Sequence, residues 1–248
     1  MNPVILITGA SRGIGAATAL QAARAGYAVA VNYRSDAQSA EQVVQQIRTL
    51  GGTAIALQAD VADEDQVLAL FAAVDAQLGL LCALVNCAGV VDVACRVEAM
   101  TVARIQRMFN TNVIGSMVCA REAVLRMSTR HGGAGGAIVN VSSVAATLGS
   151  PGQYVDYAAS KGAIDTFTLG LAREVAAEGI RVNAVRPGII DTDIHASGGQ
   201  PQRAQQLATS IPMQRSGTAD EVASAILWLL GEGASYTTGA LLDVGGGR

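Results

Sequence analysis

Short apolar runs alternate with amphipathic stretches along the whole chain. The apolar runs are rich in Val, Ile, Leu and Ala and predict buried strands at residues 4–8, 28–33, 54–58, 83–87, 137–142, 181–186 and 241–244. The stretches between them predict helices near residues 13–25, 39–50, 63–78, 101–130, 154–178 and 220–230.

Alternating strands and helices are typical of a parallel sheet covered by helices on both faces. We therefore predict one α/β domain over residues 1–248, with a doubly wound, seven-stranded parallel sheet. Residues 188–216 interrupt the alternation. Segments longer than about 12–15 residues without clear periodicity often form lids or binding loops, so we expect this segment to select the substrate.

The composition narrows the class of protein. Half of the residues are hydrophobic but only 4% are aromatic, which fits an aliphatic core. A net charge of -3 provides no general attraction to nucleic acid or to anionic membranes. The chain lacks an apolar run of about 18 residues, and its first residues run into a strand without a signal-peptide pattern. We expect a soluble cytoplasmic protein that binds neither nucleic acid nor membrane.

The cysteines and histidines have no spacing typical of a metal site or of a redox pair. We interpret the cysteines as small core residues of a reducing compartment and predict no metal. These residues are Cys82, Cys87, Cys95, Cys119, His131 and His195.

A glycine-rich loop joins the first predicted strand to the first predicted helix. Glycines allow a tight turn and a close approach to a pyrophosphate, and a helix N-terminus offers free N–H groups to phosphates. The spacing G-x-x-x-G-x-G in this context predicts a dinucleotide site. Its residues are Gly9, Ser11, Arg12, Gly13, Ile14 and Gly15.

The end of the second predicted strand should contact the adenosine ribose. NAD sites place an acidic residue there, whereas NADP sites place an arginine. The chain has Asn32, Tyr33, Arg34 and Ser35 at this point. Arg34 can bind a 2′-phosphate together with Ser11 and Arg12, and we interpret Asp36 as a helix N-cap. NADP is therefore the expected cofactor, with NAD as the alternative.

Tyr157 and Lys161 are four residues apart in a predicted helix and therefore lie on one face of it. A phenol ordinarily titrates near ~10, and a cation beside it favours the phenolate. Such a tyrosine can donate or accept a proton when a hydride moves to or from a carbonyl carbon.

The motifs in their order resemble those of the short-chain dehydrogenase/reductase family over essentially the whole chain. The matching segments are residues 8–15, 60–61, 86–89, 112, 142–143, 157–161 and 187–192. The resemblance implies a Rossmann fold, a carbonyl or alcohol of low molecular weight as substrate, and a homotetramer.

The resemblance also implies roles for further cofactor-binding residues. Asp60 and Val61 would contact the adenine. Asn86, Ala88 and Gly89 would end the fourth strand beneath the adenine ribose. Ile190 and Thr192 would hold the nicotinamide carboxamide.

The implied catalytic residues are Asn112, Ser143, Tyr157 and Lys161. Ser143 would hydrogen-bond the substrate oxygen, Tyr157 would transfer the proton, and Lys161 would lower the pKa of Tyr157 and bind the nicotinamide ribose. Asn112 would anchor a water that connects Lys161 to solvent. Tyr154 is a rival to Tyr157, but Ala158 and not a lysine follows it by four residues. Ser142 is a rival to Ser143, and the family pattern favours the second serine.

The chain departs from the family pattern at three places. Cys87 replaces an asparagine, and the stretch from Ser143 to Tyr157 is one residue longer than in many members, which predicts a different loop shape. Arg186 stands where a small residue is usual. It is either a packed or solvated arginine or a partner for an anionic substrate group.

We therefore expect an NADP(H)-dependent carbonyl reductase that interconverts a ketone or aldehyde and an alcohol. Residues 32–35 and 51–60 resemble glucose 1-dehydrogenases. Arg130 and Arg173 fall roughly where 3-oxoacyl-carrier-protein reductases bind their acidic carrier protein, or they are solvated helix charges. A catalytically idle dinucleotide-binding regulator is the alternative from another functional class.

Overall fold

The computed structural model describes residues 2–248, the side chain of His195 excepted, so that any role of that side chain lies outside the described part. Its centre is a parallel sheet of seven strands in the order β3-β2-β1-β4-β5-β6-β7. The strands are β1 (Val4–Ile7), β2 (Ala28–Tyr33), β3 (Ala54–Gln58), β4 (Leu81–Asn86), β5 (Gly136–Val141), β6 (Ile180–Pro187) and β7 (Leu241–Val244). The predicted fold class is confirmed.

Helices connect the strands and cover both faces of the sheet. They are α1 (Gly13–Arg24), α2 (Ala37–Thr49), α3 (Glu64–Gln77), α4 (Val102–Phe109), α5 (Ser116–Met127), α6 (Ala145–Leu148), α7 (Val155–Val175), α8 (Ile194–Ser197), α9 (Arg203–Leu207) and α10 (Ala219–Leu230).

Side chains of the central strands alternate between two hydrophobic cores, because successive residues of a strand point to opposite faces. Ile5 and Ile7 of β1 belong to the core under α1, α2 and α10. Val4 and Leu6 belong to the core under α3, α5 and α7. Since both faces of the central strands are buried, these strands are mostly apolar, which is why the sequence pattern identified them.

Polar caps define where several helices begin. The carboxylate of Asp36 accepts a hydrogen bond from the Ser39 N–H at the start of α2, so its predicted role as an N-cap is confirmed. Thr218 and Glu221 form a capping box at the start of α10. Each cap satisfies N–H groups that have no partner within the first helical turn.

The helix predicted over residues 101–130 extends from Val102 to Met127 and contains a π-helical turn. A π-helical turn, Asn110–Gly115, separates α4 from α5, and α5 ends at Met127. The π-helical turn packs closely against the loop that follows β3. A Cβ on Gly115 would lie 2.6 Å from the Val61 carbonyl oxygen. Such π-turns inside helices are frequent at functional sites.

Residues 188–216 also differ from a structureless loop. They contain two short helices, α8 and α9, and an isolated bridge between Ile190 and Gly217. Helices this short show no clear periodicity in a sequence, which explains why the pattern missed them. The segment follows β6 and lies at the carboxyl edge of the sheet.

Candidate active site

A cleft of about 460 Å³ opens at the carboxyl edge of the sheet. The strand order reverses beside β1, and ligands of doubly wound sheets bind at such a switch point. The glycine loop, the ends of β2 and β4, and the helices α7 and α8 all contribute to its wall. Expected site residues in this wall are Gly9, Ser11, Arg12, Gly13, Ile14, Gly15, Asn32, Tyr33, Arg34, Ser35, Asp60, Val61, Ala88, Gly89, Tyr157, Lys161 and Thr192.

The glycine loop is held from beneath by two buried polar side chains. The Thr8 hydroxyl accepts hydrogen bonds from the N–H groups of Cys87 and Ala88, both at 3.0 Å. The Asn32 side chain accepts from the Gly9 N–H at 3.3 Å and donates to the Ala59 carbonyl at 3.1 Å. These bonds tie the loop to β4 and to the chain after β3, so the Asn32 amide supports the loop rather than facing the cleft with free donors.

Two features require a glycine at position 9. Its φ is +63°, in the left-handed region, and a Cβ there would lie 2.8 Å from the Ala88 Cα. A side chain would therefore be strained and would push the loop away from β4. The close approach of the two segments is what shapes this end of the cleft.

The start of α1 suits an anion. The N-cap residue Arg12 makes no side-chain cap, so the first-turn N–H groups of α1 remain available toward the cleft that residues 11–15 line. The positive end of the helix dipole adds to this preference. The residues present therefore fit a pyrophosphate.

The end of β2 suits a phosphate on the ribose. Arg34 and Ser35 are exposed and line the cleft together with Ser11 and Arg12. The Asp36 carboxylate is occupied as the α2 cap, and the Ser39 N–H holds its pKa below the ordinary value. The two guanidinium groups thus provide the charge-assisted donors that a 2′-phosphate needs.

Tyr157 and Lys161 meet at the other end of the cleft. The Lys161 ammonium is 5.6 Å from the centroid of the Tyr157 ring and donates a 2.7 Å hydrogen bond to the Val141 carbonyl at the end of β5. Lys161 is 5% exposed. A Cβ on Gly89 would lie 3.6 Å from this ammonium, which places Lys161 directly beside the chain after β4.

The electrostatics of this pair differ from the expectation that Lys161 lowers the pKa of Tyr157. Burial raises the pKa of Tyr157 to about 12, and a hydrogen bond with Ser143 offsets part of that effect. Burial likewise lowers the pKa of Lys161 to about 8, against the opposing influence of Cys87 and Asp165. Desolvation disfavours both charged forms, so the neutral phenol is the stable species at neutral pH.

The structure separates the two adjacent serines. The Ser142 hydroxyl donates to the main-chain carbonyl of Lys161 at 3.1 Å and thereby fastens α7 to β5. Ser143 contacts Tyr157 through the hydrogen bond just described, and its hydroxyl accepts from the Ala145 N–H at 3.1 Å. Only Ser143 of the two is therefore near the phenol.

Asn112 lies in the π-helical turn and is buried. Its amide oxygen accepts from the Val90 N–H at 2.8 Å, while its amide nitrogen donates to the Val90 carbonyl at 3.0 Å and to the Ser160 hydroxyl at 3.1 Å. The side chain thus joins the chain after β4 to the helix that carries Tyr157 and Lys161. This places it as a support of the pair.

Four of the expected site residues lie outside the cleft wall as the described residues form it: Asn86, Asn112, Ser143 and Ile190. The Asn86 amide nitrogen donates to Asn140 and to the Ser116 carbonyl, so Asn86 braces β4 below the cleft. Ile190 is 5% exposed and bridges to Gly217. Pattern matching assigns these positions to a motif but does not show whether their side chains face the cleft.

Arg186 is a packed arginine. Its guanidinium lies 2.8 Å from the Asp165 carboxylate and 3.6 Å from the Asp243 carboxylate. These partners already neutralise its charge, and an anionic substrate group would have to compete with them.

Sequence reasoning missed several residues of the cleft wall. Asp92 and Arg107 form an ion pair at the rim, between the chain after β4 and α4. Ile194 and Ser197 of α8 also line the cleft. An isolated aspartate and an arginine on an amphipathic helix carry no sequence signal, because their pairing depends on the fold.

Two kinds of feature are absent from the described residues. These residues contain no group of three or more His, Cys, Asp or Glu side chains placed to hold a metal ion. Among the helices of residues 2–248, none has both the length and the apolar character that a membrane crossing requires.

The amino-acid sequence is similar to those of known oxidoreductases. The family model described as enoyl-(acyl carrier protein) reductase matches residues 9–248. The uncharacterized oxidoreductase YgfF of Escherichia coli (strain K12) is 58% identical over 245 residues, with 99% of each chain covered. The 3-oxoacyl-(acyl-carrier-protein) reductase FabG of Staphylococcus aureus (strain Mu50) is 39% identical over 249 residues, covering 100% of this chain and 98% of the relative.

The fold is similar to solved structures at high coverage. A short chain dehydrogenase from Burkholderia cenocepacia J2315 in complex with NADP has a TM-score of 0.90 and 37% identity, over 99% of this chain and 97% of that one. A blue fluorescent protein from a metagenomic library, in complex with NADPH, has a TM-score of 0.90 and 35% identity, again over 99% and 97%.

Proposed function

The chain belongs to the short-chain dehydrogenase/reductase family, and we propose that it is an NADP(H)-dependent oxidoreductase that interconverts a ketone or aldehyde and an alcohol. One observation carries the proposal: Tyr157 and Lys161 stand in the wall of the same cleft that the glycine loop and Arg34 line. A proton donor and a dinucleotide site within one cleft are what a carbonyl reductase requires.

The residues present fit NADP(H) along the length of the cleft. The N-terminus of α1 would hold the pyrophosphate, and Arg12, Arg34 and Ser11 would hold the 2′-phosphate. Thr192 would contact the nicotinamide end. When bound, NADPH would supply the hydride for the carbonyl carbon.

The protein supplies the proton and the positioning. The Tyr157 phenol donates its proton to the substrate oxygen as that oxygen gains negative charge, and the Ser143 hydroxyl steadies the same oxygen by a hydrogen bond. Lys161 contributes a positive charge beside the phenol. Because burial holds the Tyr157 pKa at about 12, the phenol is protonated at neutral pH and ready for the reductive direction.

The test is NADPH consumption over a panel of ketones, 3-oxoacyl thioesters and sugar-derived carbonyls, with Tyr157→Phe as the blank. We expect turnover with one class and a loss of at least about a hundredfold in kcat in the variant, since general acid catalysis contributes roughly 10²–10⁴-fold. If NADPH binds but no compound reacts in either direction, the protein is instead a dinucleotide-binding regulator.

A second candidate is 3-oxoacyl-carrier-protein reductase activity. It is supported by the 39% identity to the S. aureus reductase and by the exposure of Arg130 and Arg173. Arg130 is 3.8 Å from Glu178, so part of its charge is already paired. Turnover of an acyl-carrier-protein substrate that is lost in the double Arg130→Ala, Arg173→Ala variant, but not with a free thioester, would establish this candidate.

A homotetramer is part of the proposal. It is supported by apolar side chains that stay exposed on α4 and α5, including Val102, Ile105 and Leu125, since large exposed apolar patches mark interaction surfaces. Native mass spectrometry or light scattering would measure the assembly, and a monomer at micromolar concentration would contradict it.

A further inference from the structure

One arginine connects the segment of residues 188–216 to the helix that carries Tyr157. Arg203 is the first residue of α9. Its guanidinium carbon lies 5.3 Å from the centroid of the Tyr154 ring, within the range of a cation–π contact. The same group donates to the side-chain oxygen of Gln153 at 2.9 Å and to that of Gln200 at 2.7 Å.

The residue beneath this guanidinium is rigidly placed. Tyr154 is 6% exposed and is the N-cap of α7, and its carbonyl accepts the Ala158 N–H at 2.9 Å. Tyr157 follows three positions later on the same helix. The ring of Tyr154 is therefore part of the frame that holds the candidate proton donor.

Gln153 is also held by the chain after β4. Its carbonyl accepts the Cys95 N–H at 3.0 Å. The chain around Cys95 is in turn held by Arg104, which donates to the Val93 carbonyl at 2.5 Å and forms a buried ion pair with Asp156. Arg203 thus docks on a surface that is anchored both to α7 and to the chain after β4.

The helix that precedes α9 forms part of the cleft wall. Ile194 and Ser197 of α8 line the cleft wall, and α8 is joined to α9 by a short turn through Gly199, whose φ is +75°. Movement of α9 away from Tyr154 would therefore carry α8 away from the cleft.

We propose that Arg203 is a positioning residue that acts as a latch: its contacts with Tyr154 and Gln153 hold α9 in place and thereby keep α8 in the cleft wall. This latch keeps the cleft closed on the side of α8, and it does not contact the reacting atoms. Its loss is expected to weaken ligand binding and to leave the proton-transfer step intact. The kinetic part of this inference rests on the proposed function, whereas the structural part does not.

The structural test is hydrogen exchange of peptides covering residues 191–210 in the full-length protein with NADPH present. In Arg203→Gln the exchange rate of these peptides should rise about five- to tenfold, as expected for the loss of one cation–π contact and its hydrogen bonds. The matched control is Arg215→Gln, because Arg215 belongs to the same segment but pairs with the exposed Glu221. Equal exchange in wild type and Arg203→Gln would overturn the inference.

A second set of variants separates the latch from general damage. Tyr154→Phe keeps the ring and should exchange like the wild type, whereas Tyr154→Ala should match Arg203→Gln. With any substrate found, KM should rise about five- to tenfold in Arg203→Gln while kcat changes less than about twofold. A fall in kcat with unchanged KM would contradict a positioning role. If no substrate is found, the proposed function fails and the exchange rates still decide on the latch.

Discussion

The two ends of the cleft are built in different ways. At the dinucleotide end, the glycine loop is held by main-chain N–H groups that donate to Thr8 and Asn32 beneath it. At the substrate end, arginine side chains join separate segments, with Arg104 binding Asp156 and Arg203 binding Gln153 and Tyr154.

This difference shows where the molecule tolerates change. A main-chain cradle depends on a close approach of two backbones, so even one added methyl group disturbs it. Side-chain clamps leave the backbone of the sheet untouched, so a pair can be exchanged when both partners change together, whereas the loss of one partner leaves the other buried without it. The substrate end can therefore vary while the dinucleotide end stays the same.

The largest effect is expected at the buried clamp. Asp156→Ala leaves the Arg104 guanidinium buried without its carboxylate, and breaking such a pair costs about 3–5 kcal/mol of unfolding free energy. Urea denaturation measures this loss. The control is Glu41→Ala, which removes an exposed pair with Arg48 and should cost less than about 1 kcal/mol. Equal losses of unfolding free energy in both variants would show that the buried Arg104–Asp156 pair stabilises the fold no more than an exposed pair does.

The next effect is expected at the glycine loop. Gly9→Ala places a Cβ 2.8 Å from the Ala88 Cα at a φ of +63°. The left-handed conformation alone costs about 1–2 kcal/mol, and the close contact adds to it. Gly51→Ala is the matched control, because φ there is +79° but the space is open. We expect a larger stability loss at residue 9 and, in that variant only, a fall of NADPH affinity by calorimetry. Similar stability and NADPH affinity in both variants would show that the close contact between Gly9 and Ala88 is unimportant.

A smaller and more selective effect is expected at the end of β2. Arg34→Ala removes one charge-assisted partner of the 2′-phosphate, which is worth roughly 1.5–3 kcal/mol, or about tenfold to a hundredfold in NADPH affinity. The affinity for NADH, which lacks this phosphate, should change little. Arg24→Ala, on an exposed position in the last turn of α1, serves as the control. A parallel loss of NADPH and NADH affinity would place Arg34 outside the phosphate site.

The last effect is a pH dependence at the substrate end, which is small near neutral pH and grows above pH 8. The Lys161 pKa is about 8 in the folded chain, so its charge is lost as the pH rises through that value. If the charge assists reduction, kcat/KM should fall by up to about tenfold per pH unit above pH 8. NADPH affinity measured over the same range separates this effect from loss of the cofactor. A profile that stays flat to pH 10 would contradict the role of the charge.

The same titration has the opposite sign for stability. An unfolded lysine keeps its proton up to about pH 10.4, so between pH 8 and that value the unfolded chain binds more protons than the folded one. The contribution of Lys161 to unfolding free energy therefore rises with pH in this window. Denaturation of wild type and Lys161→Met at pH 7 and pH 9.5 measures it, and no difference between the two pH values would contradict the lowered pKa.

The sequence by itself determined the seven strands, the glycine loop and the pairing of Tyr157 with Lys161 on one helix face. These features depend on periodicity and on turn chemistry within a few residues, so a local pattern is enough to identify them. The N-cap role of Asp36 was predictable for the same reason, since its partner Ser39 is three residues away.

The tertiary structure decided what depends on distant partners. The charge of Arg186 is balanced by Asp165 and Asp243. The helix after Val102 forms a π-helical turn where Asn112 binds Val90, and Arg203 reaches Tyr154. Burial also reverses the expected direction of the Tyr157 pKa. Hydrogen bonds, ion pairs and desolvation depend on distances and on exposure, and a chain acquires these only when segments far apart in sequence pack together.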